Sequence, residues 1–346
     1  MESSDQTASS EAPSVALGDG LSRRNLFART ALAGAGASGM ATLLAACGDS
    51  DDEAKGSANR RSFTFAYPQS GGTERFLRVV RNGAEQAGKD MGVEVKITAT
   101  KKFDQVEQGR LVRAAAASKP DGIITGVWDG DIMREPVTSA VKDGIPVVIM
   151  NSGADFVEPF GAITYVGWDE PQVAVDAGRR MKDKGAKRVL AVNHEVGSLP
   201  LDIRLDGFKK GFGGSIRTIG VEGTDPVDAR NRIRSALAGS DFDGVIALGQ
   251  PSGDPALQAL RDAGQNGKVT FGTFDFSPTL LDGIKAGDIS FAVDQQQYLQ
   301  GYYSVVVLTL LNQYKFTPPK RTLTTGGFVT KENAGAITKL AKQTIR

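Results

Sequence analysis

Several polar or aromatic side chains stand just past short runs of apolar, often β-branched residues. Asp275 follows Phe274, Asn151 follows Met150, Trp128 and Asp129 follow Val127, and His194 comes after another such run. Runs of this kind read as buried strands. Carboxylates and amides at strand ends can bond pairs of hydroxyl groups, and aromatic rings pack on C–H faces. A site built this way rejects analogues lacking a hydroxyl, because its own buried groups are left unpaired. Chemistry that breaks bonds is harder to place. One His and one Cys, His194 and Cys47, exclude a His-rich metal site and an intramolecular disulfide. No Ser–His–acid set and no phosphate loop stands in the body of the chain, so the sequence calls for no cofactor, no metal and no enzyme.

The elements that must position these residues alternate regularly. Strands are expected over 62–67, 93–97, 122–127 and 145–150, with helices over 76–91, 105–118 and 134–143. The pattern then restarts, with helices over 171–184, 205–212, 228–238 and 255–263 and strands over 188–192, 216–221, 244–248 and 269–274. Short apolar strands alternating with amphipathic helices indicate parallel sheets covered on both faces. Two runs of 346 residues in all imply an α/β fold of two doubly wound lobes. Ligands bind beyond the carboxyl ends of such strands, so facing lobes make a cleft. With 41 basic against 40 acidic residues, the net charge of +1 gives no reason to expect nucleic acid.

The first segment reads as an address. Ser22-Arg23-Arg24-Asn25-Leu26-Phe27 precedes an uncharged stretch over 30–46, the layout of a signal peptide with the paired arginine of twin-arginine export. The same stretch is near the minimum length of a transmembrane helix, although its glycines and flanks favour a signal. Gly34-Ala35-Gly36-Ala37-Ser38-Gly39 fits a dinucleotide fingerprint, but such a site needs a strand before it and a helix after it, and arginines and the signal's apolar run surround it here. Leu44-Ala45-Ala46-Cys47-Gly48 resembles the lipobox of bacterial lipoproteins, which implies cleavage before Cys47 and a lipid anchor on its sulfur. The expected division is a signal peptide over 1–46 and a polar tether over 47–61.

Five segments of the body resemble the type I periplasmic binding proteins of sugar importers, the ribose-binding-like group. They are Gly83-Ala84-Glu85 with Gly92-Val93-Glu94-Val95, Asp143-Gly144-Ile145-Pro146-Val147-Val148 with Asn151-Ser152-Gly153, Val166-Gly167-Trp168-Asp169-Glu170, Arg204-Leu205-Asp206-Gly207-Phe208, and Asp294-Gln295-Gln296-Gln297-Tyr298-Leu299-Gln300-Gly301-Tyr302. The resemblance implies three crossings between lobes, near Gly167, Asp294 and Gly326. One lobe would then hold 62–166 plus 296–325 and the other 167–295 plus 326–346. It implies capture of a sugar or polyol, delivery to an ABC permease, and a monomer. A sensing subunit that hands its ligand to a membrane receptor would carry the same sequence features. A regulator of the lactose-repressor type shares the fold, but an export signal stands where its DNA-binding helices would be.

The resemblance also assigns residues. Asp275 would accept from ligand hydroxyls; helix capping is the other reading, with Ser277 the nearer cap. Asn151 would contact ligand or serve a turn. Gln295 would supply a hinge amide, with Gln296 or Asp294 in its place one register away. Glu74 and Phe76 would give a polar contact and a ring stack, unless Phe76 is core. Arg204 would reach the ligand or pair with Asp202 or Asp206. Trp128 and Asp129 would face the cleft, and Trp168 would pack or stack. Leu77 stands where many sugar binders carry a second stacking ring, and Asp202 where many carry an arginine. These departures, with the added acids Asp202 and Glu74, widen the expected ligands to polyols, amino sugars and cations.

Overall fold

The computed structural model describes residues 63–71, 75–324 and 327–346. The export leader, Cys47 and Glu74 lie outside the described residues. The chain from Arg61 onward is one compact unit, built on two six-stranded sheets.

The first sheet has the order β11-β5-β4-β3-β1-β2 and is parallel throughout. Its strands are β1 (Thr64–Gln69), β2 (Glu94–Ala99), β3 (Gly122–Thr125), β4 (Val147–Met150), β5 (Thr164–Gly167) and β11 (Arg321–Leu323). The second sheet holds β6 (Arg188–Asn193), β7 (Ser215–Gly220), β8 (Gly244–Ala247), β9 (Thr270–Phe274), β10 (Phe291–Asp294) and β12 (Gly327–Val329). Its order is β12-β10-β9-β8-β6-β7, with β12 an antiparallel edge. Central strands are wholly buried because helices cover both faces, so they read as continuous apolar runs. Edge strands β2 and β7 show mixed exposure, and their sequences carry charge. The chain passes between the sheets after β5, after β10, and between β11 and β12.

Helices α1 (Arg75–Met91), α2 (Gln105–Ala117), α3 (Gly130–Lys142), α4 (Val157–Phe160) and α10 (Gln297–Tyr314) accompany the first sheet. Helices α5 (Glu170–Asp183), α6 (Leu199–Phe212), α7 (Pro226–Leu237), α8 (Gln250–Asp262), α9 (Pro278–Ala286) and α11 (Ala334–Lys342) accompany the second. Three begin four or more residues earlier than their periodicity suggests, each for a local reason. Asp129 caps α3 by accepting from the amides of Asp131 and Ile132. Pro200 and Pro251 sit in the first turns of α6 and α8, where a missing N–H costs nothing. The α8 start matters most, because it brings Gln250–Asp254, ahead of the helix expected from 255, into the helix end that faces the site.

Both lobes bring a helix pair into near backbone contact through glycine. A side chain on Gly83 or Gly301 would collide with the backbone of the opposite helix, which lets α1 lie against α10. Gly178 and Gly211 do the same for α5 and α6. The second of these contacts seats Arg204.

Candidate functional site

A cavity of about 490 Å³ lies where the carboxyl ends of the two sheets meet. The first lobe contributes Phe76 and Val79 from α1, Trp128 after β3, and Asn151 with Ser152 after β4. The second contributes His194 after β6, Arg204 from α6, Asp254 from α8 and Asp275 after β9. Glu170, Gln295 and Gln297 enter from the crossings.

Backbone conformation aims the two central polar groups. Asn151 and Asp275 each follow a strand with φ of 69° and 60°. That left-handed turn is one that Asn and Asp adopt more readily than other side-chain-bearing residues. The cap of α9 is Ser277, which accepts from the amide of Leu280, so Asp275 is left for the chamber. Asp275 accepts from Gln295 Nε2 at 3.0 and 2.9 Å and from Gln297 Nε2 at 3.0 Å. Gln295 Oε1 in turn accepts from Asn151 Nδ2 at 3.3 Å, and Gln300 Oε1 does so at 3.0 Å. One network of amides therefore links both strand ends through the crossing after β10. Burial pushes the Asp275 carboxyl up to about 7; Arg204 opposes this, while Glu170 and Asp294 add to it.

Beneath this network lies an ion pair. Arg204 is 5% exposed. It donates from Nε to Glu170 Oε1 at 2.6 Å, from Nη2 to Glu170 Oε2 at 3.3 Å, and from Nη1 to the carbonyl of Leu248. Its guanidinium lies 5.1 Å from the Trp168 ring centroid and 4.8 Å from that of Phe274. Trp168 Nε1 donates to Glu170 Oε2 at 2.9 Å. Burial alone would lower the Arg204 pKa, but the Glu170 carboxylate outweighs it and holds the guanidinium charged. Burial acts on Glu170 in the opposite sense and raises its pKa despite Arg204. His194 is lowered to about 4 by burial and then by Arg204, so it is neutral. Buried polar atoms of three chamber-lining side chains lack a protein partner: His194 Nδ1, Gln297 Oε1 and Arg346 Nε.

Of the residues singled out in the sequence, Phe76, Trp128, Asn151, Arg204, Asp275 and Gln295 line this chamber. Asp129 does not: its carboxylate is engaged as the α3 cap, beside a neighbouring depression. Asp202 does not either, because it points outward from α6. Arg204 pairs with neither Asp202 nor Asp206; its partner is Glu170. Trp168 is buried and packs against the guanidinium. Gln295 rather than its neighbours lines the chamber, since Asp294 turns to Arg346 and Gln296 sits at the α10 cap. Sequence reasoning missed Glu170, Gln297, Arg75 and Arg346. Among the described residues, no group of His, Cys, Asp or Glu could hold a metal ion, and no helix is long and apolar enough to cross a membrane.

Two parallel-sheet lobes, three crossings and a polar chamber between strand ends define a two-lobe binding protein. The chain belongs to the periplasmic binding protein family, whose domain model matches residues 64–315. It is similar to the structure of a carbohydrate transporter from Acidothermus cellulolyticus 11B in complex with myo-inositol. Identity is 31%, the match covers 83% of this chain and 100% of that one, and the TM-score is 0.77. It is 25% identical over 281 residues to the xylitol-binding protein of Mycolicibacterium smegmatis, covering 75% of this chain and 73% of that protein. The xylose/arabinose-binding protein XylF of Sulfolobus acidocaldarius is 24% identical over 259 residues. That match covers 69% of this chain but only 63% of the archaeal protein, less than two thirds of its length.

Proposed function

We propose that the protein captures a neutral polyhydroxylated molecule, a sugar or a polyol, between its lobes and delivers it to an ABC importer. The observation that carries this is the Asp275–Gln295–Gln297–Asn151 network, which offers carboxylate and amide groups to hydroxyls from both lobes. Phe76 and Trp128 on the first-lobe wall supply apolar faces for the C–H groups of a cyclic or linear ligand. Arg204 is matched by Glu170 and His194 is uncharged, so neither offers a free positive charge to an anionic ligand. A carbohydrate transporter in complex with myo-inositol and relatives named for xylitol and for xylose and arabinose support the same class. Ligand touching both lobes shifts the lobe equilibrium by its differential affinity for the closed form.

Thermal unfolding of the purified protein against myo-inositol, xylitol, xylose, arabinose, glucose and glucosamine tests the reading. A polyol or sugar at a hundredfold excess over its Kd is expected to add about 2.7 kcal/mol of apparent stability. A response to glucosamine alone, or to none of the six, would overturn it.

The envelope reading rests on Arg23-Arg24 and on Leu44-Ala45-Ala46-Cys47. Export by the twin-arginine route and a lipid on Cys47 would hold the binding unit outside the cytoplasmic membrane, with 47–61 as tether. The lobes of that unit would be 62–166 plus 296–325 and 167–295 plus 326–346. Cys47→Ala is expected to move the protein from the membrane fraction to the soluble fraction. Unchanged membrane retention would reject the anchor.

A further inference from the structure

Residues 341–346 connect the two lobes. They comprise the end of α11 and the residues after it, and α11 packs on α9 beside the second sheet. From there they reach α1 of the first lobe. Arg75 Nη2 donates to the carbonyls of Ala341 at 2.5 Å and Arg346 at 2.9 Å. Asn82, seven residues further along the same face of α1, donates from Nδ2 to Thr344 O at 3.0 Å and Thr344 Oγ1 at 2.8 Å. The Arg346 guanidinium pairs with Asp294, which is 1% exposed and stands at the crossing after β10. Arg75 and Arg346 both line the ligand chamber, and Arg346 Nε is buried without a protein partner.

The backbone of this segment is costly in a way that its contacts explain. Helix α11 ends with Thr344 N donating to Ala341 O and Ile345 N donating to Leu340 O. This is the closing motif in which glycine normally takes the left-handed position. Thr344 occupies that position with φ of 54°, a strained choice for a β-branched residue. Threonine offers what glycine lacks: an Oγ1 that accepts from Asn82 of the other lobe.

We propose that residues 341–346 form an interlobe clasp, which holds the lobes at the angle seen here and closes one side of the chamber with Arg346. The part played at the chamber rests on the ligand-binding reading; the clasp itself does not. Spin labels at Arg110→Cys and Lys210→Cys, both exposed and one in each lobe, report the interlobe distance in a Cys47→Ser background without ligand. Asn82→Ala and Thr344→Gly, neither of which lines the chamber, are each expected to raise the population at longer distance about tenfold, the shift that losing one or two net hydrogen bonds gives a two-state equilibrium. Thr344→Gly relieves strain, so its melting temperature should hold or rise while the distance shifts; a merely structural role would move only the melting temperature. Distance distributions that superimpose on the parent for both variants would overturn the clasp. A shifted distance with silence towards the carbohydrate panel would leave the clasp standing and remove the ligand class. Superimposed distances with a normal panel response would do the reverse.

Discussion

Arg204→Ala is expected to lower stability by about 3–5 kcal/mol, the cost of stripping one partner from a buried ion pair. The loss has three sources. Glu170 keeps its charge with only Trp168 Nε1 as a side-chain donor. The Leu248 carbonyl loses the guanidinium that satisfies it. Trp168 and Phe274 lose the cation between them. The deficit should also depend on pH. In the intact protein burial already raises the Glu170 pKa against the pull of Arg204. Without Arg204 burial acts alone and the folded-state pKa climbs further. A carboxyl whose folded pKa exceeds its unfolded one favours the fold at low pH and loses that contribution as pH rises through the folded value. Urea unfolding should therefore show a larger deficit at alkaline pH than at acid pH, where Glu170 takes up a proton. Arg204→Met with Glu170→Leu should recover most of the loss, since apolar replacement of a whole buried pair is often neutral. A single-variant deficit below about 1 kcal/mol, the scale of an exposed pair, would show that the pair is not acting as a buried one.

The chemistry of this pair also marks the limit of what the sequence discloses. Alternation of short apolar runs with amphipathic helices is a local signal, so both sheets were legible. Asn151 and Asp275 were legible too, because a strand ending in Asn or Asp announces a residue that tolerates the left-handed turn. Glu170 was not. In sequence it is an acid in the first turn of a helix, usually a solvated position. It is buried because Gly178, Gly207 and Gly211 let α6 settle onto α5, bringing Arg204 onto its carboxylate. Asp202 drew attention by lying two residues from Arg204, yet on a helix that offset is about 200°, which faces it to solvent. Asp129 also lies past a strand end, four residues beyond β3, but a helix starts at the next residue and takes its carboxylate as a cap. In the β9–α9 connection the cap is Ser277, two residues later, and that spacing frees Asp275. Gln297 and Arg346 reach the chamber through the crossing after β10 and the segment after α11, which no local pattern reveals.

Asp275→Asn is expected to weaken ligand binding about a hundredfold and at the same time to stabilise the unliganded protein at pH 8. The affinity loss follows from charge. An ionised Asp275 is acceptor-only and can take hydroxyl donors in charge-assisted bonds, each worth about 1.5–3 kcal/mol. An asparagine amide in its place turns an N–H₂ towards the donors of Gln295 and Gln297. The gain in stability follows from the raised pKa of about 7, set first by burial. A carboxyl raised in the folded state contributes stability at low pH that is lost as pH rises through 7, so at pH 8 the buried charge works against the fold. The neutral isostere removes that burden, as expected where a site is kept for function at the expense of stability. Ligand donating hydroxyls to the carboxylate prefers the ionised form. Affinity of the parent protein should therefore fall as pH drops through 7, with proton release on binding near that pH. Calorimetry in two buffers of different ionisation enthalpy reads the proton release directly, and Asp275→Asn should abolish it. Binding that is equally tight at about pH 5.5 and pH 8, with no buffer dependence, would mean that the carboxylate does not receive the ligand. The hydroxyl contacts would then fall to the amides of Asn151, Gln295 and Gln297.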